Sequence, residues 1–367
     1  MPHDDLMPIG PFARRSGLTP SALRFFADSG LLPPARVDPV TGYRHYAPDQ
    51  VPRATTLRRL REIGLSLPAV AKILDAGPGD AARLIDAHVT QVTGDAADVR
   101  RKAALLKTGL APARPVAALK GPVLADAIEQ ILTATARDPH LPVLGGLRVE
   151  ATPEAITLTA TDRYRLATRT LVPAGPPPPT TEPPWSATLD GDDLRAALTE
   201  IRRSPLVRVE ATPYGVLLRL TDRADQHCRT LPGDFPDHHL MLAALPEVTT
   251  RVTVAKAPLL HALEEHPEDH ITLRLTGEGV RIPPGTGSPR TSAPLPATVT
   301  GDDLDITFAV TTLYPALSTA LGPDVLLDLR GPGSPATIRS ADRGDLTTWA
   351  MPVKPAPPAE PPLRGTR

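Results

Sequence analysis

A change in hydrophobic pattern near residue 110 constrains the fold most, because it divides the sequence into two parts that must fold differently. Residues 79–108 predict one long helix, since apolar residues recur along one face at intervals of three, four or seven. After a Pro/Ala segment at 110–115, apolar and polar residues alternate with period two, which is typical of β-strands. The clearest alternating stretches are residues 156–160, 216–220, 271–275 and 325–329. Helices are predicted between them near residues 122–136, 191–203, 256–265 and 312–321. The sequence therefore predicts a multidomain chain that is helical first and α+β afterwards.

The apolar face of the long helix is open to two interpretations. Its members are Ala81, Ile85, Val92, Ala96, Val99, Ala103 and Leu106. They fit a coiled-coil seam of about four heptads, in which a second copy of the helix covers the face. Alternatively, the face packs on the chain's own domain. Because a narrow alanine and valine face needs a second helix to bury it, we expect a homodimer with antiparallel long helices.

Residues 8–76, before the long helix, predict short helices separated by turns. Thr19 is suited to cap the second helix, with Pro20 at the first position, where a missing N–H costs nothing. Residues 33–46 alternate turn-forming and extended residues, which is typical of a β-hairpin wing. Two more helices are expected near residues 48–63 and 67–75. The pattern predicts an all-α-rich winged helix-turn-helix head.

Charge is unevenly distributed along the chain. Residues 8–63 contain nine arginines and four acidic residues, a net charge of +5, although the formal charge of the whole chain is −1. Residues 109–367 contain 25 basic and 30 acidic residues, a net charge of −5. A basic head on an acidic body predicts a polyanionic partner for the head only. The candidate DNA-contacting residues offer groups suited to phosphates and base edges. They are Thr19, Ser21, Arg24, Arg36, Tyr43, Arg44, His45 and Arg58.

The head resembles the MerR family of transcription regulators. The resemblance rests on the stretch IGPFARRSGLTPSALRFFADSGLLPPARVDPVTGYRHYAPDQVPRATTLRRLREIGLSLPAVAKIL, about 70 residues. It implies that Arg24, Tyr43 and Arg44 contact phosphates. This chain has Phe25, Phe26 and Ala27 where the family usually has two tyrosines and a glutamate, so two hydroxyl contacts are missing.

The body resembles the middle and C-terminal domains of the bacterial DNA polymerase III β sliding clamp. The hallmark is the run ATDRYRLA at residues 160–167. RTLPGDFPDH at 229–238 is similar to the segment that joins the two clamp domains, and TTWAMPVKP at 347–355 to the clamp's C-terminal end. Residues 277–297 are rich in Gly, Pro and Ser where the clamp has strands.

The clamp resemblance implies a peptide pocket between the two domains, which in clamps takes short linear peptides and cyclic-peptide antibiotics. Its predicted walls here are Thr161, Arg163, Tyr164, Arg165 and Leu166 on one side, and Trp349, Met351 and Pro352 on the other. Tyr164 and Trp349 would supply rigid contact area, and Arg163 or Arg165 would bond to ligand carbonyls. The alternative is that these are ordinary core or rim residues.

A closed ring around DNA is not expected. A clamp has three such domains in each chain, whereas this chain has two. The helices that would line the hole carry five basic residues against eight acidic ones, which is a poor surface for phosphates.

Catalysis, metals, cofactors and membranes find little support in the sequence. Cys228 is the single cysteine, which excludes a multi-thiolate site, and it is predicted to be a small buried hydrophobe. Asp190, Asp192 and Asp193 are interpreted as a helix cap with first-turn acids. His238 and His239 form a pair without a second ligand cluster, so no metal site is predicted. We expect a non-enzymatic, cytoplasmic, nucleoid-associated protein without a signal peptide or a membrane span.

These inferences combine into a predicted organisation and function. The predicted domains are 1–77 (the head), 78–110 (the dimerisation helix), 116–235 and 236–354 (two clamp-like domains, together the body) and 355–367 (a disordered tail). The predicted function is a MerR-type regulator that binds a promoter inverted repeat and acts on RNA polymerase through the promoter. Its body would sense a ligand or peptide. The alternative is a replication-linked protein that recruits clamp-binding peptides to DNA.

Overall fold

The computed structural model describes residues 6–175, 184–284, 294–341 and 344–353. The predicted tail at 355–367 lies outside these ranges. The chain divides into two compact units, Met1–Lys102 and Ala103–Arg367. No helix in the described ranges combines the length and the apolar character that crossing a bilayer requires.

The first unit is mainly helical. Its helices are α1 (Ile9–Ser16), α2 (Pro20–Asp28), α3 (Val51–Glu62), α4 (Leu67–Asp75) and α5 (Pro78–Gly109), the last of which continues into the second unit. Its strands are β1 (Met7–Pro8), β2 (Arg36–Val37) and β3 (Arg44–Tyr46). The strands form a small antiparallel sheet in the order β1-β3-β2, which is the predicted wing. Thr19 caps α2 as predicted, because its hydroxyl accepts a hydrogen bond of 3.1 Å from the Ala22 N–H.

An aromatic pair joins the wing to the helices of the head. The ring of Tyr46 stacks on Phe12 with centroids 4.5 Å apart, and both side chains are fully buried. The Tyr46 hydroxyl donates a 3.2 Å hydrogen bond to the Leu23 carbonyl, so a polar group inside the core has a partner. Burial raises the pKa of Tyr46, which keeps the hydroxyl protonated as a donor.

Each of the two interpretations of the apolar face applies to a different part of α5. Its first turns pack on the head, since Ala81 and Ile85 lie against the head's hydrophobic core. Further along, the side chains of Val92 and Val99 are 50% and 66% exposed, and that of Leu106 is 69% exposed. The start of the helix therefore belongs to its own domain, and the rest presents an uncovered apolar face.

The second unit is an α+β body, and its order of elements confirms the predicted fold class. Its helices are α6 (Gly121–Leu132), α7 (Gly191–Arg203), α8 (His238–Ala243), α9 (Lys256–Glu264) and α10 (Val310–Ser318). The strands of its first half are β4 (Arg114–Leu119), β5 (Gly146–Ala151), β6 (Ile156–Thr161), β7 (Arg165–Leu171), β8 (Trp185–Asp190), β9 (Val207–Thr212), β10 (Gly215–Leu220) and β11 (Gln226–Cys228). Those of its second half are β12 (Thr250–Ala255), β13 (His270–Thr276), β14 (Gly279–Arg281), β15 (Ala297–Gly301), β16 (Leu304–Ala309), β17 (Asp324–Leu329), β18 (Ala336–Ser340) and β19 (Leu346–Ala350).

One antiparallel sheet runs through both halves of the body. In the described residues its order is β15-β12-β17-β18-β19-β7-β6-β5-β8, and the halves meet where β19 pairs with β7. Trp349 stands opposite Leu166 in that pairing. Each half has its own hydrophobic core, with helices α6 and α7 in the first and α9 and α10 in the second. Gly121 permits α6 to start against α7, because a Cβ there would lie 2.0 Å from the Ser204 carbonyl oxygen.

The structure differs from the sequence-based expectation at the end of α6 and in the Gly/Pro/Ser-rich stretch. Helix α6 ends at Leu132 rather than near 136, because the N–H groups of Thr133, Ala134 and Thr135 bond to carbonyls three residues earlier and tighten the chain into turns. In the Gly/Pro/Ser-rich stretch, β14 pairs with β13, and Val280 forms a bridge with Leu295. The local composition disfavours strands there, but pairing with a buried neighbour overrides it.

Candidate functional site

Helix α2 presents the predicted DNA-contacting side chains of the head. Thr19, Ser21 and Arg24 are exposed at its start and along its outer face, whereas Leu23 and Phe26 point into the core. The Thr19 hydroxyl oxygen accepts the cap bond from Ala22, and its O–H is still able to donate to a phosphate. Arg24 thus remains as the exposed cation of this helix.

The wing presents a second group of predicted contacts. Arg36 and Tyr43 are exposed, the latter by 62%. Arg44 is partly buried and donates a 2.6 Å hydrogen bond to Asp28 at the end of α2. His45 is half-buried within the small sheet. The Arg44–Asp28 pair therefore links the wing to the end of α2.

Arg58 has a structural environment that the sequence did not reveal. Its guanidinium pairs with Glu62 one turn later on α3. Its side chain also lies against the turn between α1 and α2, where a Cβ on Gly17 would be 3.0 Å from the Arg58 Nε. Gly17 has φ of +73°, a left-handed conformation that glycine adopts without strain. Arg58 thus packs the turn that orients α2.

A cleft of about 110 Å³ lies where β7 and β19 meet in the body. Seven of the eight residues predicted for the pocket line it: Thr161, Arg163, Tyr164, Arg165, Leu166, Trp349 and Met351. Pro352, the eighth, follows Met351 in the chain and is not among the lining residues. The structure therefore brings together two segments that are more than 180 residues apart in sequence.

The turn before β7 holds the first wall of the cleft in place. Asp162 accepts hydrogen bonds from the N–H groups of Tyr164 and Arg165, at 3.0 and 2.6 Å, and from the Arg165 Nε at 3.0 Å. Arg163 has φ of +77°, an unusual value for a residue other than glycine. The Met351 N–H donates to the Tyr164 carbonyl over 2.8 Å, so the end of β19 is attached to the same turn. Hydrogen bonds from the β7 side and from the end of β19 therefore hold the turn in this conformation.

The two arginines of this wall have different environments. Arg165 is 8% exposed, and its guanidinium also donates a 2.6 Å hydrogen bond to the Thr133 carbonyl. Its role is therefore to stabilise the fold around the cleft. Arg163 pairs with Asp138, but its side chain is 54% exposed. Of the two predicted donors, Arg163 is the one that can turn toward a ligand.

The opposite wall of the cleft includes residues that the sequence analysis did not predict. They are Pro236, Asp237, His238, Met241 and Pro335. Four of them belong to the FPDHHLM run that opens α8, which was identified only as a segment joining two domains. The segment is short and without periodicity, so the sequence did not indicate this wall; in the structure, Leu240 and Met241 are 70% and 42% exposed.

The surface around the cleft is mainly apolar. Tyr164 and Met351 are 66% and 38% exposed, and Trp349 is half-buried. Large exposed apolar side chains around a concave surface are typical of ligand and protein binding sites. The arrangement can bury an apolar ligand against Trp349 while Arg163 and nearby backbone groups orient it.

A second, wider groove of about 320 Å³ lies beside Asp190 and Asp192. Its charged groups are already paired, because Asp192 accepts from Arg137 and Arg195 at 3.0 and 2.9 Å. Asp190 accepts from the N–H groups of Asp192 and Asp193, which is the helix cap that the sequence predicted. The groove's polar groups therefore already serve the fold.

Cys228 and the pair His238–His239 lie in different environments within the body. Cys228 lies fully buried in the first core, and burial raises the pKa of its thiol, as expected for a small hydrophobe. His238 and His239 are not isolated from other ligands, because Glu150 of β5 lies within 3.7 Å of both rings. Burial, followed by the neighbouring His239, lowers the pKa of His238. The prediction of no second ligand near this pair is wrong, since β5 and α8 meet only in the folded body.

A small winged helical head and a body of two clamp-type halves that share one sheet define a fused, two-part protein. Residues 7–77 match the MerR HTH family regulatory protein profile, and residues 118–175 match the central domain of the DNA polymerase III beta subunit. The chain therefore carries a MerR-type regulator head followed by a sliding-clamp-like body, as the sequence predicted.

Individual relatives agree with this division. The Beta sliding clamp homolog GriR of Streptomyces muensis is 30% identical over 199 residues, 52% of each chain. The HTH-type transcriptional regulator PA4778 of Pseudomonas aeruginosa, described as uncharacterized, is 41% identical over 68 residues, 18% of this chain and 51% of its own. The chain thus spans about half the length of both relatives.

Solved structures show the same fold for the body. A sliding clamp of Pseudomonas aeruginosa bound to griselimycin matches with a TM-score of 0.58 and 18% identity, covering 65% of this chain and 64% of the clamp. At this identity the match establishes the fold alone.

Proposed function

We propose that this protein is a DNA-binding transcription regulator whose clamp-like body senses an apolar peptide ligand. The observation that carries the proposal is the cleft between β7 and β19, which lies in a chain whose head is of the MerR type. The proposal contains no catalytic step. The head would bind promoter DNA, and the cleft would report the presence of the ligand.

The chemistry of the cleft supports a preorganised apolar peptide as the ligand. Trp349 and Tyr164 provide aromatic surface at a low cost in side-chain entropy, and Met241 and Met351 adapt to irregular apolar shapes. A rigid or cyclic peptide loses little conformational entropy on binding, so a shallow cleft can hold it firmly. Griselimycin, which a clamp of this fold binds, is the natural first probe.

The ligand would act by shifting a population of dimer geometries. Resemblance to MerR regulators implies a homodimer that twists an over-long promoter spacer and so presents it to RNA polymerase. For a ligand to change transcription, it must bind one of the two geometries more tightly than the other.

A body that encircles DNA, as a replication clamp does, is poorly supported by the charges of its helices. Arg202 of α7 already donates to Asp126 and Glu129 of α6, at 3.0 and 2.8 Å. Arg195 likewise pairs with Asp192 within α7. Because these cations are neutralised by neighbouring acids, little positive charge is left to hold DNA phosphates along the helices.

The test of the proposal is a titration of the full chain with griselimycin, followed by transcription from a promoter that the protein selects from a random duplex library. We expect saturable binding and a change in transcript level at the same ligand concentration. Binding without any change in transcription, together with capture of clamp-binding linear peptides, would favour the replication-linked alternative. No binding of either ligand class would refute the sensor function.

Replacing Arg24 with alanine should weaken operator binding by about 1–3 kcal/mol, the range for loss of one arginine contact to DNA. The side chain is exposed on α2, so its removal should leave the fold of the head intact. Fluorescence anisotropy at several salt concentrations measures the affinity, and the salt slope should decrease by about one if Arg24 contacts a phosphate. Arg208→Ala is the matched control, since this arginine is exposed on β9 of the body. Equal affinity of Arg24→Ala and the wild type would mean that α2 does not face DNA.

A further inference from the structure

Three side chains with metal-binding atoms converge beside the cleft. Glu150 comes from β5, which lies next to the edge strand β8 of the large sheet, and His238 and His239 open α8. The Glu150 Oε2 lies 3.7 Å from the His238 Nε2 and 3.5 Å from the His239 Nε2. One ligand atom from each residue lies within 4.8 Å of the others, a grouping found once among the described residues.

These separations are close to those of a tetrahedral metal site. Zn–N and Zn–O bonds are about 2.0–2.2 Å long, so the ligand atoms of a tetrahedral zinc lie about 3.4 Å apart. The two measured separations to Glu150 exceed that value by only a few tenths of an ångström.

The surroundings hold two of the three ligands in position. Glu150 belongs to a strand paired on both sides, with Thr157 of β6 and Ser186 of β8. The His238 ring is 7% exposed and packs edge-on against Phe235 with centroids 6.0 Å apart, so packing restricts its orientation.

The position of the second histidine distinguishes a metal site from a simple ion pair. One histidine suffices to pair with Glu150, yet both rings approach the same carboxylate oxygen, and their centroids are 4.0 Å apart. His239 is 70% exposed, so solvent reaches the site from one side. A divalent cation at the centre satisfies both imidazoles and the carboxylate at once, and water completes the coordination.

We propose that Glu150, His238 and His239 form a binding site for a divalent transition metal ion, with Zn²⁺ as the preferred occupant. Two imidazoles and one carboxylate are borderline ligands that favour zinc and its neighbours over Mg²⁺ or Ca²⁺. Three protein ligands leave one position open. Although His238 also lines the cleft, the proposal does not depend on what the cleft binds.

The test is calorimetric titration of the metal-free, untagged full chain with ZnCl₂, and of the same protein with CoCl₂ monitored by visible absorption. We expect one high-affinity equivalent of zinc and the intense d–d bands of four-coordinate cobalt. His239→Ala and Glu150→Gln should each lower the zinc affinity by about 100-fold or more, since even outer partners of ligands contribute about 10–100-fold. Zinc should also raise the melting temperature of the wild type but not that of either variant.

His261→Ala is the matched control. His261 is as exposed as His239, at 70%, and it lies within 4.0 Å of Glu264 and Glu265, but it has no second histidine beside it. If zinc bound only to chance pairs of surface groups, His239→Ala and His261→Ala should lower the zinc affinity by the same factor. Three results would each overturn the proposal: an equal loss in His261→Ala, the weak spectrum of six-coordinate cobalt, or unchanged affinity in Glu150→Gln. Melting temperatures without metal show that each variant is folded.

Discussion

Trp349→Ala is expected to weaken griselimycin binding to the full chain by about 2 kcal/mol or more, roughly 30-fold, the loss typical of an aromatic hot spot. Trp349 lies on β19 opposite Leu166 and forms a wall of the cleft. Its removal takes away the largest rigid apolar surface there. The ligand's effect on transcription should disappear, whereas operator affinity without ligand should be unchanged, because the head is untouched. Calorimetry and fluorescence anisotropy measure the two affinities.

Trp185→Ala is the control for that experiment. Trp185 is the chain's other tryptophan and lies on β8, at the opposite end of the same sheet from β15 and outside the cleft. Both substitutions remove the same side chain from one sheet, so a general loss of stability should affect both in melting experiments. A loss of ligand affinity confined to Trp349→Ala assigns the site to the cleft. Equal griselimycin affinities of Trp349→Ala and the wild type would show that the ligand does not bind in the cleft.

The double substitution Val92→Asp and Val99→Asp is expected to convert the dimer to a monomer and to abolish operator binding. Both side chains are at least half exposed on α5. If a second α5 covers them, the substitutions bury unpaired charges, each of which costs several kcal/mol. A monomer would bind only one half-site and lose the contribution of the second head. Sedimentation velocity measures the mass, and anisotropy measures operator affinity.

Thr90→Asp together with Ala97→Asp is the control for the helix. These residues are exposed on another face of α5, with the same spacing of seven, so the double variant adds the same charge to the same helix. It should remain dimeric. A dimer that survives Val92→Asp and Val99→Asp would show that the chains associate through another surface, such as the body.

The strands of the body were predictable from local alternation, whereas the cleft residues on β7 and β19 were predicted from the resemblance to the sliding clamp. The run ATDRYRLA and the segment TTWAMPV mark the turn before β7 and the strand β19, and alternation marks the other strands. The wall formed by α8 was not predictable, because the segment that opens it is short and without periodicity. Its role arises only from its position beside Thr161 and Trp349.

The division of the chain into a basic helical head, a long helix and an α+β body is determined by sequence alone, because periodicity, capping residues and charge act over a few neighbouring residues. The individual roles of the polar side chains are decided by tertiary structure. Arg44 pairs with Asp28, Arg165 donates to Asp162 and Thr133, and the more exposed Arg163 pairs with Asp138. Glu150 reaches His238 and His239 only because β5 and α8 meet in the fold. What a charged group does depends on its partners within a few ångströms and on its burial, and a linear sequence specifies neither.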